Sequence, residues 1–189
     1  MTPGSSETPL NPTLERIGRV LGLLSHIGLW AAAAGLVVMT LIVGWQVFTR
    51  YVLNWSNAWT EPAALLLMSW FIFLGAAAGV RENYHLGFDV LLYVLPQGSK
   101  RLLRTVSDVV VAAFATGMIY YGMQLVELGW SATMPSLSIP EGVKYIPLVG
   151  GGVLILLFAL ERLAMRLAGA PVDADLEFEE IPEIDLEEA

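Results

Sequence analysis

Two histidines, His26 and His85, stand in this 189-residue chain, which has no cysteine. Imidazoles on neighbouring helices can hold a haem between them, so a cytochrome-type redox centre is one chemistry to weigh. Against it, His85 follows Arg81, Glu82 and Asn83 and so falls beyond the apolar run that precedes them. A second chemistry is ion coupling, which keeps acids or bases at membrane depth. Glu61, Asp108 and Glu127 instead sit at the ends of apolar stretches, where they serve helix termini or interface hydration. Thr40, Gln46, Ser69, Thr116 and Gln124 are the uncharged polar groups at mid-run, suited to hydrogen bonds within a helix bundle. The lack of cysteine excludes disulfides, thiolate metal sites and cysteine nucleophiles. No phosphate loop, nucleophile triad or metal cluster is legible. The chain reads as a non-enzyme with no cofactor, no metal and no nucleic-acid partner.

The elements that would position these residues are four apolar runs free of Asp, Glu, Lys and Arg. They are Val20–Thr49, Pro62–Val80, Val109–Val126 and Tyr145–Leu160, of 30, 19, 18 and 16 residues. A helix needs roughly 20 apolar residues to cross a bilayer core. The expected fold is therefore an all-α membrane protein with transmembrane helices near 20–49, 61–80, 105–127 and 143–164. Arg16, Arg19 and Ala31–Ala33 resemble a signal peptide, but the run continues to Phe48, so a retained first span is expected. Thr60 is placed to cap the second helix, with Glu61 and Pro62 in its first turn. Phe88, Leu91, Leu92 and Leu95 share one helix face and predict a short interfacial helix near 86–95, between the second and third spans.

Basic residues set the orientation. Arg16, Arg19, Arg81, Lys100, Arg101, Arg104, Arg162 and Arg166 fall on one side of the predicted spans, and only Arg50 and Lys144 on the other. Both termini and the middle loop are expected in the cytoplasm. Tyr51, Trp55, Trp59, Trp130 and Tyr145 cluster at the outer span ends as an aromatic belt. Residues 12–170 form the membrane domain. Residues 1–11, rich in Pro, Ser and Thr, are expected to be disordered, and 171–189 form an acidic cytoplasmic tail carrying nine of the 18 acids. Gly75 and Gly79 make a small-residue surface in the second span, as Ala31 and Gly35 do in the first, and both suit close helix packing. Trp30 and Trp70 lie at mid-span, placed to fill gaps between helices or to face another subunit.

The stretch Gly44–Pro96 carries an ordered set of short motifs: Gln46-Val47 with Arg50-Tyr51, Trp59-Thr60-Glu61, Phe73-Leu74-Gly75-Ala76-Ala77, Arg81 with His85, and Leu95-Pro96. The set resembles the small membrane subunit of tripartite ATP-independent periplasmic (TRAP) transporters, the DctQ-like family. Pro62 departs from the pattern, since a second acid often follows the Glu there. The resemblance implies a multi-pass protein of the bacterial inner membrane. It implies a scaffold subunit of a sodium-coupled importer of an organic acid, of the carboxylate class. Its implied partners are a large membrane subunit, a periplasmic substrate-binding protein and membrane lipids. Arg50, Trp59 and Glu61 would then be outer-face contacts to a subunit or the binding protein. Arg81, His85 and Asp89 would be inner-face contacts to lipid or a subunit. The alternatives are a membrane anchor or cytochrome-type subunit of a redox complex, and a self-sufficient small carrier.

Overall fold

The computed structural model describes residues 12–81 and 97–167. The expected disordered N-terminus, the interfacial helix at 86–95 with His85 and Asp89, and the acidic tail lie outside the described residues. Four helices are long and apolar enough to cross a membrane. They are α1 (Pro12–Tyr51), α2 (Thr60–Arg81), α3 (Gln97–Trp130) and α4 (Ile146–Leu167). A two-stranded antiparallel hairpin, β1 (Thr133–Met134) and β2 (Ile139–Pro140), and a 3-10 turn (Glu141–Tyr145) connect α3 to α4.

Two helices outrun their apolar stretches. α3 starts at Gln97, ahead of the apolar run at Val109, because the intervening segment is polar and basic yet compatible with helix. α1 has 40 residues, about 60 Å at the helical rise, so it is longer than the bilayer core is thick.

Spatial order differs from chain order. α1 packs along α2, α2 along α4, and α4 along α3, giving the row α1–α2–α4–α3. Three successive glycines let α4 serve as the inner member of this row. Residues one apart on a helix point about 100° apart, so the run can address two neighbours. A Cβ on Gly150 or Gly151 would meet Trp70 and Phe73 of α2, at 3.6 and 2.5 Å. A Cβ on Gly152 would meet Met118 and Ile119 of α3, at 3.1 and 3.2 Å. Side chains there would push both neighbours away, and lipid-embedded helices depend on such contact. Leu21, Ala77, Ala115, Met118, Ile155 and Phe158 form the core where the four helices converge.

The mid-span hydroxyls do not bridge helices. Thr40, Ser69 and Thr116 each donate to the carbonyl four residues earlier, at 2.8, 3.0 and 2.8 Å. Trp70 fills the α2–α4 gap, whereas Trp30 is 74% exposed on α1.

Candidate functional site

Charge is distributed unequally between the two ends of the bundle. At the end holding the C-termini of α2 and α4, five charged side chains meet. Asp108 of α3 lies between two arginines of α4, 3.2 Å from Arg162 and 2.8 Å from Arg166. Those arginines are four residues apart and so share one helix face. Glu161, the residue before Arg162 on α4, turns to α2, where Arg81 stands 3.5 Å away. Two backbone carbonyls complete the assembly. Arg162 donates to Val80 O of α2 at 2.6 Å, a carbonyl of that helix's last turn, which has no partner within its own helix. Arg81 donates to Gly18 O of α1 at 3.2 Å.

Asp108, Glu161, Arg162 and Arg166 are all buried, with the Asp108 side chain only 3% exposed. Gly18 and Gly22 make room for the cluster, since a Cβ on Gly22 would lie 3.1 Å from Arg81 Nη2 and one on Gly18 3.3 Å from Glu161 Oε1. All four helices are thus tied at this end by charge. Asp108 is not a hydrated helix terminus, as its position in the sequence suggested. It is the shared carboxylate of a buried network. The available signal was the pairing of Asp108 with two arginines four residues apart on the same side of the membrane, together with Gly18-x-x-x-Gly22.

The opposite end, bearing the hairpin, is built from backbone contacts. α1 closes with Val52 N–H on Phe48 O and Trp55 N–H on Thr49 O, with Asn54 in the left-handed region at φ 49°. Asn tolerates that region better than most residues. Thr60 does not cap α2. Trp59 O accepts the helix's first bond, from Ala63 N–H, and the fully buried Thr60 hydroxyl donates back to Asn57 O at 2.9 Å. The 3-10 turn lies directly on the end of α3. A Cβ on Gly129 would be 2.8 Å from Gly142 N, and one on Gly142 2.5 Å from Val126 O. Lys144 pairs with Glu141 and stands 5.0 Å from the centre of the Tyr145 ring.

The outer-face candidates lie at this end. Arg50, Trp59 and Glu61 are exposed, and among the described residues no side-chain bond or ion pair engages them. Glu61 lines a cavity of about 410 Å³ between α2 and the hairpin. Below it, Leu65, Met68, Ile72, Gly75, Ala76 and Gly79 recur every three or four residues and define one stripe of α2. The first three of these and Ala76 are exposed, and a Cβ on Gly75 or Gly79 would meet nothing within 4 Å. The small residues of this stripe therefore pack against no described element of the chain, whereas a Cβ on Gly35 of α1 would meet Phe71 of α2 at 3.7 Å. Arg81, the described inner-face candidate, points into the charge network. His26 is exposed on α1. Among the described residues no group of three or more His, Cys, Asp or Glu side chains is placed to hold a metal ion.

The sequence matches a known family over residues 39–169, from within α1 to the end of α4, namely the DctQ component of the tripartite ATP-independent periplasmic transporters. The chain belongs to that family. It is a TRAP transporter subunit of the inner membrane and not an enzyme. It is 27% identical over 128 residues to a protein of Haemophilus influenzae named as a TRAP transporter small permease, covering 68% of this chain and 80% of the relative. It is 26% identical over 113 residues to the C4-dicarboxylate TRAP transporter small permease protein of Vibrio cholerae, covering 57% of this chain and 48% of that protein's length. The sialic acid TRAP transporter small permease protein of the same organism is 28% identical over 119 residues, covering 58% of this chain and 66% of that relative. Membership displaces the redox-anchor alternative.

Proposed function

We propose that this DctQ-family chain is the fixed scaffold of a sodium-coupled importer of an organic acid of the carboxylate class. A large membrane subunit would carry the substrate and sodium sites, and a periplasmic binding protein would deliver the substrate. The observation that carries this reading is the placement of charge. The spans contain uncharged stretches of 30, 19, 18 and 16 residues, and the buried charges at their ends are engaged with one another. An anion or a sodium ion crossing through this chain would find no ionised group at mid-depth to compensate it. The names of two relatives, one for C4-dicarboxylate and one for sialic acid, support the substrate class.

In this reading the charged end faces the cytoplasm, because eight of the ten bases fall on its side. The hairpin end faces the periplasm, and its unengaged Arg50 and Trp59, with Glu61 beside them, contribute to the surface that meets the binding protein. The part of the α2 stripe from Ile72 to Gly79 packs against the large subunit. Arg81 braces α2 against α1 and α4 on the inner side, and His85 and Asp89 would extend that side toward lipid or the partner.

Co-expression with neighbouring genes tests the reading. The chain is expected to co-purify with a much larger membrane protein. Proteoliposomes containing both, supplied with the binding protein and a sodium gradient, should take up a carboxylate, and leaving out this chain should abolish uptake. Undiminished uptake without it would refute the scaffold role.

A further inference from the structure

The cavity at the hairpin end joins an apolar lining to one acid and one base, a combination that docking through the exposed Arg50 and Trp59 does not account for. It is lined by Pro62, Leu65, Leu66 and Ser69 of α2 and Met134 of β1, with one acid, Glu61, and one base, Lys144. Its volume of about 410 Å³ lies within the usual range of small-molecule sites. The wall is effectively apolar, because the Ser69 hydroxyl already donates to Leu65 O at 3.0 Å. Glu61 is the second residue of a 22-residue helix. That helix is about 33 Å long, close to the roughly 30 Å thickness of a hydrocarbon core. Glu61 therefore sits at the boundary between acyl chains and headgroups, and Lys144 lies next to Tyr145, at the start of α4.

We propose that this cavity is a binding site for a zwitterionic phospholipid whose headgroup ends in a primary ammonium. The ammonium donates hydrogen bonds to the Glu61 carboxylate, for which no other partner is found among the described residues. Lys144 has three donors, of which Glu141 and Tyr145 engage two, so one remains for the phosphate. An acyl chain follows Leu65, Leu66 and Met134 into the membrane. A trimethylammonium headgroup has no N–H to give Glu61, and a glycerol headgroup places no cation there. The site thus selects by headgroup as well as by apolar fit. It rests on the cavity and its two charges, so its failure would leave the scaffold role untouched, and the converse also holds.

Native mass spectrometry of the full chain in detergent micelles tests it. The probes are phosphatidylethanolamine, phosphatidylcholine and phosphatidylglycerol with identical acyl chains. Phosphatidylethanolamine should be held about tenfold more tightly than phosphatidylcholine, the ratio expected for one charge-assisted hydrogen bond. Glu61→Gln should reduce that preference to about twofold or less, with helical content by circular dichroism unchanged. Leu65→Trp, which extends a ring into the cavity from an exposed position, should remove selective retention. Equal retention of the three lipids, or a preference that survives Glu61→Gln, would overturn the assignment. Should Leu65→Trp fail to fold, the Glu61→Gln comparison decides alone.

Discussion

The two ends of this bundle solve one problem in opposite ways. Each must hold helix termini together where the bilayer gives way to water. The end bearing Arg81 and Arg166 does so with buried charge, placing Asp108 between Arg162 and Arg166 and Glu161 against Arg81. The hairpin end does so with backbone, seating Gly142 on Gly129 and turning α1 through Asn54. As a result, charge at the first end is consumed by the fold, while Arg50 and Glu61 at the second stay exposed and available to something else. The residue type alone does not tell a structural charge from a functional one. What tells them apart is whether a facing helix brings a counter-charge.

The largest expected effect comes from breaking the charged end. Asp108→Ala strands two buried guanidiniums, and losing one partner of such a network costs about 3–5 kcal/mol. The variant should lose most of its thermal stability in detergent, whereas Arg50→Ala should change it by no more than about 0.5 kcal/mol. Equal behaviour of the two would erase the distinction between the ends.

A wedge at the backbone-built end ranks next. Gly142→Val drives a side chain into Val126 O and should cost about 1–3 kcal/mol. Proteolysis within the hairpin, at 131–140, would report it as faster cleavage. Gly75→Val adds a similar side chain where nothing lies within 4 Å, and the purified chain should not register it.

Sharper still is a variant that separates folding from assembly. Gly79→Leu should leave the stability of the isolated chain within about 0.5 kcal/mol of the parent and sharply reduce recovery of the large subunit in co-purification. A destabilised isolated chain would mean that Gly79 packs within the chain after all. The smallest effect is expected from Trp59→Ala, which should leave assembly intact and raise the binding-protein concentration needed for half-maximal uptake.

Much of this fold is legible in the sequence, because membrane helices are written as uninterrupted apolar runs. Four of them predicted four helices, and the aromatic residues at Tyr51 and Trp130 mark their ends. Helix extensions such as Gln97–Arg104 escaped, since hydropathy marks what lies in lipid and not where a helix stops. The order α1–α2–α4–α3 was not legible either, because which helix faces which depends on contacts between residues far apart in the chain. The charge network failed to show for that reason: Asp108 and Arg166 read as separate span-end charges until α3 and α4 are placed side by side. Gly75 and Gly79 were legible as a packing surface. That they pack against nothing described in the chain could be read only from the structure.

The absence of cysteine lets the contact between α2 and the large subunit be tested by site-specific labelling. Ala76→Cys, on the exposed stripe of α2, can carry a photo-crosslinker in a chain with no competing thiol. If one broad side of α2 belongs to the transport subunit, illumination of membranes co-expressing the neighbouring genes should give an adduct combining this chain with the large membrane protein. Labelled chain that supports full uptake yet gives no such adduct would show that this side of α2 does not face the transport subunit.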